Sequence, residues 1–251
     1  MLIDSHCHIL KNEYDNIKEI KENAFSSGVK YIINNAYSME STRELVNTKL
    51  YNNEFIAIGV GPEDVNNYTD LDIIEIESYI KNKKVVAIGE IGLDYYWTKE
   101  NKDKQIKVFK DMLLLAEKYN LPVIIHSRES IQDTFDIIKQ YNVRGIMHCY
   151  SGSVEMAKKF IKQGFLIGIG GVITFKNAVK LIEVVKSIDI KNISLETDSP
   201  YLSPEPYRGM RNEPKNIIEV AKKISEIKNI NVENVIKSTY LNVSSMFDLD
   251  N

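Results

Sequence analysis

Along the chain, short β-branched apolar runs alternate with longer stretches whose apolar residues recur at helical spacing. The runs Leu2–His8, Val29–Asn34, Phe55–Val60, Val85–Glu90, Val123–His126, Gly145–His148, Phe165–Ile169 and Ile193–Glu196 read as strands. Helix-period segments follow them in turn, near 15–27, 38–51, 70–82, 100–120, 130–141, 153–163, 177–189 and 214–228, with a last segment at 231–248. The strands are too apolar to leave one face in water, which points to a parallel sheet with helices on its outer face. Eight strand–helix units predict an α/β fold, a (β/α)8 TIM barrel forming a single domain over residues 1–251 with an extra C-terminal helix. An open doubly wound sheet is the alternative, because the count includes weak second and seventh strands.

Composition narrows the class of activity. With 32 basic and 35 acidic residues the net charge is −3, so no global field draws the chain to nucleic acid or acidic membranes. The longest apolar-leaning run, 165–173, has nine residues, three of them glycine, where a membrane span needs about 18. Only two cysteines, Cys7 and Cys149, and no basic-then-apolar leader lead us to expect a cytoplasmic protein. Nothing in the sequence calls for an obligate protein partner.

The four histidines are scarce and all fall at strand ends. His6 and His8 close the first strand, where positions i and i+2 share a face and turn both rings inward, leaving Cys7 toward the helices. His126 ends the fifth strand and His148 the sixth, at the barrel end where active sites gather. Glu90 ends the fourth strand and Asp198 lies just past the eighth; each would be a costly buried charge without a cation. Six such ligands are too many for one tetrahedral zinc but suit two divalent ions sharing a bridge. Asp4, Asp94 and Glu196 are candidates to orient the ligand rings.

The segments LIDSHCH, GEIGLDYYW, PVIIHSRES, HCYSGS and ETDSPYLSP followed by YRGMRNEP run in one order along the whole chain. In them the chain resembles the TatD family of metal-dependent nucleases, a barrel branch of the amidohydrolase-like enzymes. The resemblance implies ligands at His6, His8, Glu90, His126, His148 and Asp198. It further implies that His6, His8 and Asp198 hold one metal, His126 and His148 the other, and Glu90 bridges. One departure stands out: the family usually carries Gly-x-His-Pro after the third strand, and this chain has Gly61 at the histidine position. That histidine is not one of the six ligands, so the change bears on substrate positioning.

Arginine is rare, 5 against 27 lysines, yet Arg128, Arg208 and Arg211 fall near the expected mouth. A guanidinium fork suits phosphate; ordinary surface charge is the alternative. Tyr95, Tyr96 and Trp97 follow the fourth strand, where they would either stack an unpaired base or pack over the rim. Gly168, Gly170 and Gly171 would either bring backbone donors to a phosphate or make room in the barrel. Cys7 and Cys149 read as small buried hydrophobes.

The expected activity is hydrolysis of DNA phosphodiesters at single-stranded or frayed ends, with Glu90 and Asp198 as catalytic carboxylates and Asp198 taking the water's proton. Arg128, Arg208 and Tyr95 are the candidate substrate contacts. Imidazoles favour Zn2+, Mn2+ or Ni2+, whereas the resemblance implies Mg2+. The rivals are hydrolysis of another ester, such as that joining an amino acid to tRNA, and a metal-stabilised binding module without turnover.

Overall fold

Eight parallel strands pair in chain order, β1 to β8, in a computed structural model that describes residues 1–97 and 99–250. The strands are β1 (Leu2–Cys7), β2 (Val29–Asn35), β3 (Glu54–Ile58), β4 (Val85–Asp94), β5 (Val123–Arg128), β6 (Gly145–Met147), β7 (Phe165–Ile169) and β8 (Ile193–Leu195). The helices are α1 (Ile17–Ser26), α2 (Met39–Asn47), α3 (Asp72–Tyr79), α4 (Lys102–Tyr119), α5 (Ile131–Ile138), α6 (Val154–Lys162), α7 (Val179–Ser187), α8 (Ile217–Lys228) and α9 (Val232–Phe247). The sequential strand order excludes a doubly wound sheet, whose order reverses at a switch point. Ser5 Oγ donates to the Leu195 carbonyl at 2.9 Å, bringing β1 to β8 and closing the barrel.

Alternation along each strand divides the apolar residues between two clusters. Ile32, Ile56, Val123, Ile125, Met147 and Ile167 pack outward into the layer between barrel and helices. Ile33, Ala57, Ile124, Ile146 and Leu166 face the barrel interior, where Tyr240, Val243 and Phe247 of α9 join them. The interior residues Ile124 and Ile146 each precede a histidine by two positions. The α9 side chains therefore plug the end of the barrel opposite the histidines.

Two boundaries differ from the sequence reading in ways that matter for the site. β4 continues past Glu90 to Asp94, because Gly92, Leu93 and Asp94 pair with His126, Ser127 and Arg128 of a longer β5. Only glycine permits this approach at position 92, where φ is +144° and a Cβ would run into the His126 carbonyl. His8, His148 and Glu196 lie just beyond their strands, at the point where the chain turns outward.

Candidate metal centre

The six sequence-predicted ligands converge at the C-terminal mouth of the barrel, and each orientation has a local cause. His8 Nδ1 donates to the Asn35 carbonyl at 2.9 Å, which leaves the lone pair of Nε2 facing the mouth. Asn34 clamps the next turn: its amide donates to the Ile9 carbonyl at 3.0 Å, and its Oδ1 accepts from Ile9 N at 2.8 Å. His126 is turned the other way round. Its Nε2 lies 2.9 Å from Asp94 Oδ2, so Nδ1 is the nitrogen that faces the cluster. Asp198 follows β8 in the left-handed region at φ +54°, and its amide donates to the His6 carbonyl at 3.0 Å. Asp4 accepts from the Thr197 amide at 2.9 Å, tying β1 to the segment that carries Asp198.

Glu90 stands between two donor sets. Its Oε2 is 3.5 Å from His6 Nε2 and 3.4 Å from His8 Nε2. Asp198 Oδ1 lies 3.4 and 3.6 Å from the same two nitrogens. The other oxygen, Oε1, is 2.9 Å from His126 Nδ1 and 3.2 Å from His148 Nε2. Donors held at 2.0–2.1 Å by a tetrahedral ion lie roughly 3.4 Å apart, so both sets have the spacing of a coordination shell. His6, His148 and Asp198 form a further close group, with the His6 and His148 rings stacked at 3.8 Å. The facing nitrogens of His6 and His8 stand only 3.0 Å apart, a spacing that a shared proton or a metal ion in its place satisfies. Imidazole and carboxylate donors in these sets fit divalent metal ions.

Protons compete for the same donors. Burial alone would depress His8, but the carboxylates of Asp198 and Glu90 overcome it and lift the ring to about 10. His126 is likewise raised to about 9, against burial, by Asp94 and Glu90. Burial would raise both carboxylates, yet the surrounding rings hold Glu90 and Asp198 well below the usual range. The cluster thus keeps its carboxylates ionised and binds protons on its rings when no metal replaces them.

A cavity of about 580 Å³ opens above the cluster, with Trp97, Arg128, Tyr201 and Glu63 on its walls. Arg128 therefore stands where the sequence reading put it. Tyr95 does not: it is buried, its hydroxyl bonds Asp133 at 3.0 Å, and it faces α5 rather than the cavity. The extension of β4 carries Tyr95 under the rim and leaves Trp97, two positions on, at the cavity wall. Arg208 also lies off the cavity wall, its guanidinium 4.3 Å from the Phe175 ring centre and 4.0 Å from Glu205. Arg211 pairs with Asp15 at 3.7 Å.

Gly168 makes room: a Cβ there would collide with Glu196 Oε2, and one on Gly171 would meet the Leu202 carbonyl. Glu196 in turn accepts from the Cys149 amide and lies 3.6 Å from His148 Nδ1. Cys7 is buried as expected, but Cys149 is only half-buried and lines the cavity. The sequence reading missed Glu63 and the Asn34–Asn35 pair. The run NNA at a strand end was the available signal for that pair.

Comparison with known proteins agrees with this construction. The family described as TatD related DNase matches residues 3–248. The metal-dependent hydrolase YabD of Bacillus subtilis is 39% identical over 255 residues, covering 100% of both chains. The metal-dependent hydrolase MJ1582 of Methanocaldococcus jannaschii is 38% identical, covering 98% of this chain and 96% of its own. The crystal structure of YJJV, a TatD homologue from Escherichia coli, superposes with a TM-score of 0.89 at 27% identity over 98% of each chain. With a matching family over nearly its whole length and relatives described as metal-dependent hydrolases, the chain belongs to the TatD family of metal-dependent hydrolases.

Proposed function

We propose that this hydrolase cleaves phosphodiester bonds of DNA, removing nucleotides from single-stranded or frayed ends, with two divalent cations in its mouth. The division of Glu90 supports the pair of ions: one oxygen faces His6 and His8, the rings that Asp198 also approaches, and the other faces His126 and His148. The family description favours DNA. When bound, such ions neutralise charge on the phosphoryl oxygens and make water a stronger acid.

The chain's own groups supply the rest. Asp198 stays ionised beside His6 and His8, and accepts the proton that leaves the attacking water. A carboxylate held this low is a weak base, so its position at the cluster, rather than its basicity, suits it to the task. Arg128 offers a two-pronged donor to a non-bridging phosphate oxygen. The plugged lower end of the barrel leaves the mouth as the route for a strand end.

A second reading draws on Glu63. A carboxylate on the cavity wall repels phosphate but would pair with the ammonium of an aminoacyl ester. End-labelled DNA and RNA oligonucleotides and a charged tRNA, each assayed with Mg2+, Mn2+ and Zn2+, separate the two. Release of nucleotides from DNA ends is the expected result. Release of amino acid alone would overturn it.

A further inference from the structure

Two aromatic side chains that a folded protein would ordinarily bury stand in water at the rim of the cavity. Trp97 is 67% exposed and Tyr96 51%, and their rings meet edge to face at 5.0 Å. Neither is loose. Asp94 Oδ1 accepts from the Tyr96 amide at 2.8 Å and the Trp97 amide at 3.3 Å, while its Oδ2 holds the ring of His126. The Arg128 guanidinium lies 3.7 Å from the Tyr96 ring centre and 5.4 Å from that of Trp97. One carboxylate therefore fixes the aromatic turn in register with a metal ligand, and one arginine braces it from the next strand. Arg128 stands two residues beyond His126, about 7 Å along β5, which is a span a nucleotide bridges between phosphate and base.

We propose that Trp97, braced by Tyr96 and Arg128, is a stacking platform for the unpaired base nearest the scissile phosphate. The site then selects single-stranded over paired ends, because a paired base has no free face to offer. A second cavity beside Trp97 carries the amides of Asn66, Asn101 and Gln105 along with the carboxylates Glu63 and Asp94, so that polar groups stand next to the exposed ring. The proposal rests on the nuclease reading above and names how that site recognises its substrate.

Trp97 is the chain's one tryptophan, so its fluorescence reports the platform directly and without turnover. Metal-free protein is titrated with a short oligothymidylate and with an abasic oligomer of equal length. Steady-state kinetics on the oligothymidylate with Mn2+ are then compared for wild type, Trp97→Ala and Trp97→Phe. The expected results are quenching by the base-bearing strand well beyond that by the abasic one, and a KM raised roughly 5- to 150-fold in Trp97→Ala. Trp97→Phe should recover much of that loss. If the oligomer is cleaved but the two strands quench alike, or Trp97→Ala keeps the wild-type KM, the platform is refuted and the nuclease reading stands. If no nucleic acid is cleaved with any metal, both fall.

Discussion

The interior of this barrel is two different solvents end to end. Below, Ile33, Ala57, Ile124, Ile146 and Leu166 meet Tyr240, Val243 and Phe247 of α9 in a dry, close-packed layer. Above, two residues beyond Ile124 and Ile146, His126 and His148 join His6, His8, Glu90 and Asp198 in a crowded group of imidazoles and carboxylates. The lower layer stabilises the fold by burial, at about 25 cal/mol per Å² of apolar surface. The upper one contributes little by packing and gathers groups whose charges are compatible only around a cation. Stability and chemistry therefore rest on separate residues, and they should fail separately.

The largest effect expected is from chelation. It should abolish hydrolysis yet leave the circular dichroism spectrum of the barrel in place, since the lower layer contains no ligand. Loss of the helical signal on chelation would mean that the two ends are not independent. Next comes Asp198→Asn, which keeps an oxygen donor but cannot take a proton. Its rate should fall about 10²–10⁴-fold and stay low at saturating metal. His126→Ala should instead lose metal first and recover in part when metal is added. Bound metal is counted in both variants, and full recovery of Asp198→Asn would remove the proton-transfer role.

The converse change is made in the lower layer. Phe247→Ala should cost about 3–5 kcal/mol in denaturant unfolding while metal content per folded molecule is unchanged. A drop in metal content would join the two ends after all.

Proton competition gives a subtler readout. His8 at about 10 and His126 at about 9 are raised above an unfolded histidine near 6.5. Their contribution to the stability of the metal-free protein is thus full below about pH 6.5 and is lost as pH rises through 9–10. Metal affinity should run the other way, rising across that window as protons leave the rings. Calorimetry in buffers of differing ionisation enthalpy counts the protons released, and a metal affinity independent of pH would contradict the assignment. The smallest effect expected is Arg128→Lys, about tenfold in KM, since the charge remains but the planar fork is lost.

How far the sequence reaches differs between the two ends in the same way. The convergence of these side chains was legible because strand alternation fixes which residues face inward, and because His6, His8, His126 and His148 are the chain's whole stock of that residue. What lay beyond the strands was less so. Tyr95 reads as a candidate substrate contact only for a β4 that ends at Glu90. Pairing with β5 through Gly92 carries the strand four residues further and turns Tyr95 toward Asp133. Arg208 sits in a loop whose course depends on contacts with Phe175 and Glu205 that no local pattern announces. The plug by α9 was equally hidden. A final helix was visible in the periodicity, but its docking into the barrel depends on strand residues remote in sequence, Ile33 and Ile124 among them.

The distribution of ligands around the ring has an evolutionary consequence. β1, β4 and β5, with the turns after β1, β6 and β8, supply all six candidate donors, whereas β2, β3 and β7 supply none. The end of β2 orients His8 through Asn35, and Gly168 of β7 makes room for Glu196 beside His148, but substitutions in the segment after β3 can reshape what the mouth admits without replacing a donor. Gly61 and Glu63 lie in the segment after β3, at just such a place. A lineage could in this way trade one ester for another by changing a few loop residues, keeping its catalytic apparatus intact throughout the transition.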